Sequence, residues 1–335
     1  MAQPAEENVS VRALGERGTL ERILPLLPIA HSTLVPPGDD AAVSTLEGGS
    51  VVTTCDMMIE GPDFRFDWST PHDVGWKAMA SNLADVAAMG ATPTGVIVAV
   101  ACPPETPIEV LEGVAQGIAD GLQAMAPGCG VLGGDLSTAR EVCLSVTVLG
   151  ELAGHPPVLR SGAQPGDVVA VAGELGVSEL GLRVLLEHTE QAGGVLSEQS
   201  RDVLRDRHPE VAHHLAPIAP IALGVVAARA GASAMMDISD GLVLDATRMA
   251  EASGVRIDLD AALIDHEEAL MGGEDHGLLA CFPDGSALPE GFREVGVVRA
   301  AGEFPVTVGG EAPAVSRGGW DPYRDSSSVN TAVSP

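Results

Sequence analysis

The sequence lacks the long apolar runs of a membrane protein. No stretch of about eighteen or more apolar residues occurs in its 335 residues. The segment from Met1 to Val11 has neither the basic nor the apolar part of a signal peptide. We therefore expect a cytoplasmic protein that has no membrane as a partner.

Basic residues and paired cysteines are also scarce. The 18 Lys and Arg residues stand against 47 Asp and Glu residues, which gives a formal net charge of −29. A charge of this sign repels phosphate backbones, so nucleic acid is not an expected partner. The cysteines form no CxxC pair, and neither a zinc site nor a disulfide framework is indicated.

The sequence contains a single lysine, Lys77. It does not follow a glycine-rich loop, so the chain has neither a Walker A loop nor the lysine of a protein kinase. Residues 128–133 match GxGxxG, but they precede an apolar run and do not open a helix, which contradicts a Rossmann-type site. If the chain is a phosphotransferase, magnesium and arginine must neutralise the phosphate charge.

The length of the chain predicts two α/β domains, because 335 residues exceed what one core comfortably holds. A stretch rich in Pro and Gly, His155 to Gly166, indicates the boundary between them. We therefore predict one domain over residues 1–154, a second over residues 155–324, and a disordered tail over residues 325–335.

Apolar periodicity and capping signals predict the main elements. The clearest helix has Thr70 as its cap, Pro71 at its first position, Asp73 as a capping-box acid, and Gly90 at its end. Residues 190–214 are expected to form a helical excursion on the surface. The alternation lacks a long βαβ series, which favours an α/β fold of the α+β type with mixed sheets. The other predicted helices are Thr19–Leu27, Ile108–Met125, Ser178–Leu186 and Leu242–Ala252, and the predicted strands include Val51–Thr54, Gly95–Cys102, Val142–Leu149, Val168–Ala172 and Met235–Ile238.

Acidic residues cluster beside glycines and at the ends of apolar runs. If such carboxylates converge, each pair about 4 Å apart costs roughly 4 kcal/mol at an effective dielectric near 20, so cations must offset the repulsion. Magnesium takes oxygen ligands and substrate phosphates, and no thiolate or imidazole cluster competes for the assignment. The pattern indicates a nucleotide site with several Mg²⁺ ions. The clusters are Gly38-Asp39-Asp40, Thr54-Cys55-Asp56, Asn82-Leu83-Ala84-Asp85, Gly133-Gly134-Asp135 and Asp237-Ile238-Ser239-Asp240-Gly241.

Three further positions are candidates for ligand contact. Arg160 lies in a glycine-rich turn, where its guanidinium could grip phosphate, although a surface arginine is the favoured alternative when this residue is taken alone. Glu274 follows two glycines, in a position that suits substrate contact or a hairpin. Trp320 either anchors the polar tail on the core or stacks on a ligand ring.

Together these segments resemble the thiamine-monophosphate kinase family, in order and from end to end. The family belongs to the superfamily of aminoimidazole ribonucleotide synthetase, which implies a two-domain fold whose N-terminal domain dimerises through its sheet. The matching segments are GDDAAV (38–43), TTCD (53–56), GWKAMASNLADVAAMGA (75–91), GGD (133–135), LRSGAQPGD (159–167), DISDGL (237–242), GGED (272–275) and GW (319–320).

The resemblance implies roles for individual residues. The N-terminal domain would bind ATP and magnesium, and the C-terminal domain would complete the nucleotide and substrate site. The implied ATP contacts are Gly134, Asp135, Arg160 and Ser239, and the implied contacts to thiamine monophosphate are Glu274, Trp320 and Asp63, which stands where the family often has His. The implied magnesium ligands are Asp40, Thr54, Cys55 through its carbonyl, Asp56, Asp85, Asp135, Asp237 and Asp240.

The implied reaction is the transfer of a phosphoryl group from ATP to thiamine monophosphate, which gives thiamine diphosphate. We expect in-line attack without a phosphoenzyme, assisted by metal at Asp56, Asp85 and Asp237, and without a general base because the nucleophilic phosphate is already ionised. Two alternatives remain open at this point. One is another ATP-using enzyme of the same superfamily, and the other is a non-catalytic acidic protein that binds divalent ions.

Overall fold

The computed structural model describes residues 9–35, 43–45, 49–264 and 266–313. Asp40, Trp320 and the predicted tail over residues 325–335 lie outside these ranges. The roles assigned to Asp40 and Trp320 therefore stay predictions. Within the described ranges, no helix is both long and apolar enough to cross a bilayer.

Helices and strands alternate irregularly along the described chain. The α-helices are α1 Val11–Ile23, α2 Pro71–Ala88, α3 Ile108–Met125, α4 Val177–Gln191, α5 Glu198–Arg207, α6 Pro209–Leu215, α7 Ile221–Arg229, α8 Leu242–Ser253 and α9 Glu268–Met271, and short 3-10 helices cover Leu24–Leu26 and Ala261–Leu263. The strands are β1 Thr33–Val35, β2 Val43–Ser44, β3 Val52–Ile59, β4 Thr92–Cys102, β5 Val131–Thr138, β6 Cys143–Glu151, β7 Val168–Ala172, β8 Ala234–Asp237, β9 Val255–Leu259, β10 Leu278–Phe282, β11 Phe292–Ala300 and β12 Val306–Val308.

The strands form two main sheets of mixed direction. The first has the order β3-β6-β4-β5, in which β4 and β5 run parallel and the other pairs are antiparallel. The second has the order β12-β9-β11-β7-β10-β8, in which β12 and β9 run parallel and the other pairs are antiparallel. The predicted α/β fold of the α+β type with mixed sheets is confirmed.

Helix α2 is the central element that connects the two halves. Its predicted N-terminus is confirmed, because Thr70 and Asp73 form a reciprocal capping box and Pro71 occupies the first turn. The helix contacts β3, β4 and β6 of the first sheet, helices α3 and α7, and β8 of the second sheet. Gly224 of α7 lets that helix approach closely, since a Cβ there would lie 2.0 Å from the carbonyl oxygen of Ala87.

Three predictions of local structure need correction. The N-terminal helix covers Val11–Ile23, not Thr19–Leu27, because Ser10 caps it and Pro25 turns the chain into a 3-10 helix. Strand β3 runs through Asp56 to Ile59, so that acid lies within a strand and not at its end. Asp135 likewise lies within β5, since ladder pairing with β4 continues beyond the two glycines.

The excursion over residues 190–214 is helical as predicted, but its apolar side is not on the surface. Leu204 of α5, Val211 and Leu215 of α6 are buried together with Trp68. The indole N–H of Trp68 donates a 2.7 Å hydrogen bond to the hydroxyl of Thr189. The excursion therefore packs on the loop that precedes α2. The polar residues of the excursion predicted its solvent-facing side, but which segment covers its apolar side depends on the tertiary fold.

Candidate functional site

Strand β3 and helix α2 meet at a group of three carboxylates, which we call the acidic corner: Asp56, Asp85 and Asp237. The hydroxyl of Thr54 donates a 2.6 Å hydrogen bond to Oδ2 of Asp85, which lies in the last turn of α2. The backbone N–H of Asp56 donates a 3.2 Å hydrogen bond to Oδ1 of the buried Asn82. These two hydrogen bonds connect the segment TTCD (53–56) of β3 with Asn82 and Asp85 of α2.

Asp237, at the end of β8, faces this corner from the second sheet. Burial raises the pKa of Asp237 well above its ordinary value, and the charges of Asp85, Asp245 and Asp56 raise it further. Desolvation raises the pKa of Asp56, and the charge of Asp240 adds to the effect. Burial and the charge of Asp56 raise the pKa of Asp85, against the hydrogen bond from Thr54 and the charge of Arg160. These carboxylates therefore repel one another across the two halves.

Arg160 brings positive charge toward the same corner. Its turn is tied to the second half of the chain, because the N–H of Gly162 donates to Oγ of Ser253 at 3.1 Å and Met235 donates to the carbonyl of Leu159 at 2.9 Å. The Arg160 side chain is exposed, in keeping with a group that could meet a phosphate from solvent.

The loop over residues 239–241 is organised by Asp245, a fully buried residue of α8. Its Oδ2 accepts hydrogen bonds from the N–H groups of Ser239, Asp240 and Gly241 at 3.0 to 3.1 Å. Arg248 Nη1 lies 2.6 Å from Oδ2 of Asp240 and 2.7 Å from Oδ1 of Asp245. Burial raises the pKa of Asp245 to about 6. The N–H groups of the loop are thus bound within the protein by Asp245.

Asp135 lies on the other face of the first sheet. One row of paired residues crosses the sheet from Asp135 through Ala99 of β4 and Ser145 of β6 to Met57 of β3. Met57, at the end of this row, is 60% exposed. The neighbouring row starts at Asp56 and passes through buried Val146 and Val98 to Gly134. Directly paired residues share a face, so Asp56 and Gly134 face α2 while Asp135 faces away.

The candidate substrate contacts Glu274 and Asp63 lie near the N-terminal half of α2, close to Lys77. Lys77 Nζ forms an ion pair with Oε1 of Glu274, whose Oε2 lies 3.5 Å from Nδ1 of His214. Burial raises the pKa of Asp63, as do the charges of Glu274 and Asp56, while a hydrogen bond from Ile59 and the charge of Lys77 lower it. Asp63 and Glu274 are therefore neighbours, and the segment around Glu274 is a turn after α9, not a hairpin.

Some residues of these groups were not assigned a site role from sequence. Lys77 has a signal that could have been used, because it is the only lysine and stands in the same helical row as Asp85. Asp245 and Arg248 are three residues apart on α8, but their contacts with the loop residue Asp240 depend on the loop conformation. His214 gives no sequence signal, since its partners come from α2, α4 and the turn of Glu274.

The acidic corner can hold divalent cations by its donor set. Asp56, Asp85 and Asp237 offer carboxylate oxygens whose repulsion a cation would relieve. In the part of the chain that the structure describes, no three acidic, histidine or cysteine side chains form a ready-made metal cage. This arrangement fits Mg²⁺, which is usually held by one or two carboxylates together with substrate phosphates.

Comparisons with known proteins agree with this fold. Residues 38–152 match the family described as AIR synthase related protein, N-terminal domain, and residues 164–306 match its C-terminal domain. The fold and these two matches define a two-domain protein of the AIR synthase-related class.

Individual relatives narrow the class. A thiamine-monophosphate kinase of Mycobacterium tuberculosis is 40% identical over 324 residues, which cover 92% of this chain and 91% of the relative. One of Corynebacterium glutamicum is 38% identical and covers 91% and 93%. A solved ThiL structure complexed with AMPPCP and TMP has a TM-score of 0.69 at 30% identity, and covers 93% and 98%. The chain belongs to the thiamine-monophosphate kinase family.

Proposed function

We propose that this protein transfers the γ-phosphoryl group of ATP to thiamine monophosphate, which yields ADP and thiamine diphosphate. The observation that carries the proposal is the acidic corner, where Asp56, Asp85 and Asp237 from both halves of the chain face one another. Family membership at 40% identity over almost the whole chain supports the choice of substrates.

Several Mg²⁺ ions would be held by the corner and its surroundings. Asp56, Asp85 and Asp237 would supply carboxylate oxygens, and Thr54, the Cys55 carbonyl and Asp240 would add further oxygen ligands. When bound, the ions would supply charge neutralisation for the two phosphorylated substrates. The predicted ligands Asp40, outside the described residues, and Asp135, on the opposite sheet face, stay predictions.

The protein's own residues would bind and align the reacting groups. Arg160 would hold ATP phosphates with its guanidinium fork, and Ser239 and Gly134 would contact the nucleotide. The attacking oxygen belongs to a phosphate monoester that is already ionised at neutral pH, so no side chain has to remove a proton. The γ-phosphorus is attacked in line as its bond to the β-phosphate oxygen breaks, and positioning supplies most of the rate.

Glu274 and Asp63 would contact thiamine monophosphate at the other end of the site. Their neighbouring carboxylates suit the positively charged thiazolium ring of that substrate. Trp320, which lies outside the described residues, is predicted to stack on the substrate rings, and its replacement by Ala should raise the KM for thiamine monophosphate.

A homodimer in the cytoplasm completes the proposal. The face of the first sheet that points away from α2 carries exposed apolar side chains, Met57 at 60% and Ile97 at 40% exposure. Covering such side chains by a second copy of the sheet would bury them from water. This supports the sheet-to-sheet dimer that the family resemblance implies.

The decisive experiment measures ADP release from ATP and Mg²⁺ with and without thiamine monophosphate. Release that depends on thiamine monophosphate, with stoichiometric thiamine diphosphate, is the expected result. Divalent-cation binding without turnover would favour the non-catalytic alternative, and ADP release with a different acceptor would favour another enzyme of the superfamily.

A further inference from the structure

Lys77 is buried where α2 meets the turn that carries Glu274. Its side chain is only 7% exposed, and its Nζ is paired with Oε1 of Glu274, whose own side chain is 39% exposed. Lysine is rarely this buried unless it is paired. The pair therefore has a closed side, at the lysine, and an open side from which a ligand could reach the carboxylate.

The backbone of this turn is held independently of Lys77. Asp275 accepts hydrogen bonds from the N–H of Gly176 at 2.6 Å and from the N–H of Ser178 at 2.8 Å, which satisfies the first turn of α4. The hydroxyl of Ser178 lies 2.8 Å from Nδ1 of His214. With the backbone fixed, the direction of the Glu274 carboxylate depends on its side-chain partners, Lys77 and His214.

Of these two partners, Lys77 forms the ion pair with Glu274, whereas His214 contributes a neutral ring. Burial, and then the charge of Lys77, lower the pKa of His214 to about 4, so that this histidine is neutral. Burial would raise the pKa of Glu274, but Lys77 first and His214 next lower it to about 2. Asp63 and Glu179 face the same carboxylate with like charge. Without Lys77, Glu274 would be a half-buried carboxylate among other acids.

Helix α2 places this pair at a fixed distance from the acidic corner. Lys77 and Asp85 are eight residues apart, which is two steps of four, so both lie on one face of the helix. At 1.5 Å per residue, this spacing corresponds to about 12 Å along the axis. One rigid element thus carries both the partner of Glu274 and a carboxylate of the corner.

We propose that Lys77 is a positioning residue that holds the Glu274 carboxylate in the direction of the cationic ring portion of the substrate. The inference rests on the proposed function, because it takes thiamine monophosphate as the ligand of Glu274. Lys77 itself acts through Glu274 and does not touch the substrate. It thereby sets affinity at the ring end, while the acidic corner deals with phosphates.

The test compares Lys77→Met with Lys77→Arg and with an exposed control, Arg12→Met, which breaks the surface pair of Arg12 and Glu105. For Lys77→Met we expect the KM for thiamine monophosphate to rise about tenfold or more, because the half-buried Glu274 carboxylate loses its partner. The KM for ATP should change less than threefold, roughly, and Lys77→Arg should recover much of the loss. The control should leave both KM values unchanged. A KM for thiamine monophosphate equal to that of the wild type would overturn the proposal.

A second comparison keeps the test decisive if Lys77→Met alone does not fold, because a double variant that removes both charges of the pair leaves neither of them without a partner. Glu274→Gln and the double variant Glu274→Gln with Lys77→Met should have the same Kd for thiamine monophosphate, measured by titration calorimetry without turnover. A Kd that differs by more than about threefold shows that Lys77 acts separately from Glu274, and would refute the positioning role. If the wild type itself neither binds nor phosphorylates thiamine monophosphate, the proposed function fails instead.

Discussion

The hydroxyl of Thr54 donates a 2.6 Å hydrogen bond to Oδ2 of Asp85, which joins strand β3 to helix α2 at the acidic corner. The bond lowers the pKa of Asp85 against burial and the charge of Asp56, both of which raise it. Thr54 thus favours the ionised form of Asp85 and orients its carboxylate, in addition to any contact of its own with a cation.

Replacing Thr54 by Val should therefore weaken the response to magnesium. A hydrogen bond to a charged group contributes about 1.5 kcal/mol or more, so the Mg²⁺ concentration for half-maximal turnover should rise about tenfold. Magnesium titration of thiamine monophosphate-dependent ADP release measures this. Thr53→Val is the matched control, because Thr53 is exposed on the neighbouring position of β3. An unchanged magnesium requirement would separate Thr54 from the cation site.

Asp237→Asn should reduce turnover and stabilise the metal-free fold at the same time. Loss of a carboxylate at the corner should lower kcat by on the order of a hundredfold. The raised pKa of Asp237 means that the folded state binds its proton more tightly than the unfolded chain, so this group's contribution to stability falls as the pH rises from about 4 through the folded pKa.

Asp237→Asn has no ionisable group at this position, so it lacks this pH-dependent loss of stability. In EDTA at pH 7, its Tm should exceed that of the wild type by about 2–4 °C, and the difference should disappear near pH 4. Thermal unfolding across this pH range checks the prediction. Asp284→Asn, in an exposed turn, should move neither Tm nor kcat. A lower Tm for Asp237→Asn at pH 7 would argue against the electrostatic repulsion at the corner.

Asp245→Ala should disorder the loop over residues 239–241 without removing a proposed ligand. Three N–H groups lose their common acceptor, and Arg248 keeps only Asp240 as a partner. We expect about a tenfold or greater loss in kcat/KM for ATP. Steady-state kinetics measure it, with Glu251→Ala on the exposed side of α8 as control. Equal losses in both variants would assign the effect to the helix and not to the loop.

Arg205→Met should destabilise the contact between the excursion and α2. Arg205 Nη1 lies 2.8 Å and 2.9 Å from the two carboxylate oxygens of Asp73, which is fully buried. Because Arg205 is partly exposed, and Asp73 keeps its capping bonds with Thr70, we expect a loss of about 2 kcal/mol in the free energy of unfolding. Urea unfolding measures it. Arg207→Met, on the exposed side of α5, should cost less than about 0.5 kcal/mol.

The bounds of helices and strands could be predicted from the sequence where the interactions that set them lie within a few residues. Thr70, Pro71 and Asp73 act within one turn, so the start of α2 could be read from the chain alone. The predicted bounds of α3, Ile108–Met125, and of β7, Val168–Ala172, match the structure because strong apolar patterns are bounded by turn residues there. Strand β3 was predicted too short, because pairing with β6 stabilises polar positions such as Asp56 that have little strand preference.

The sequence by itself determined which chemistry this protein carries, since the acidic motifs, the single lysine and the absence of a Walker A loop leave oxygen ligands and arginine to handle phosphate. Only the tertiary structure decided which of these groups meet. It brought Asp237 to Asp85 and Glu274 to Lys77, and it turned Asp135 to the opposite sheet face. The physical reason is that strand register and helix packing, which span the whole chain, fix the face and the neighbours of each side chain.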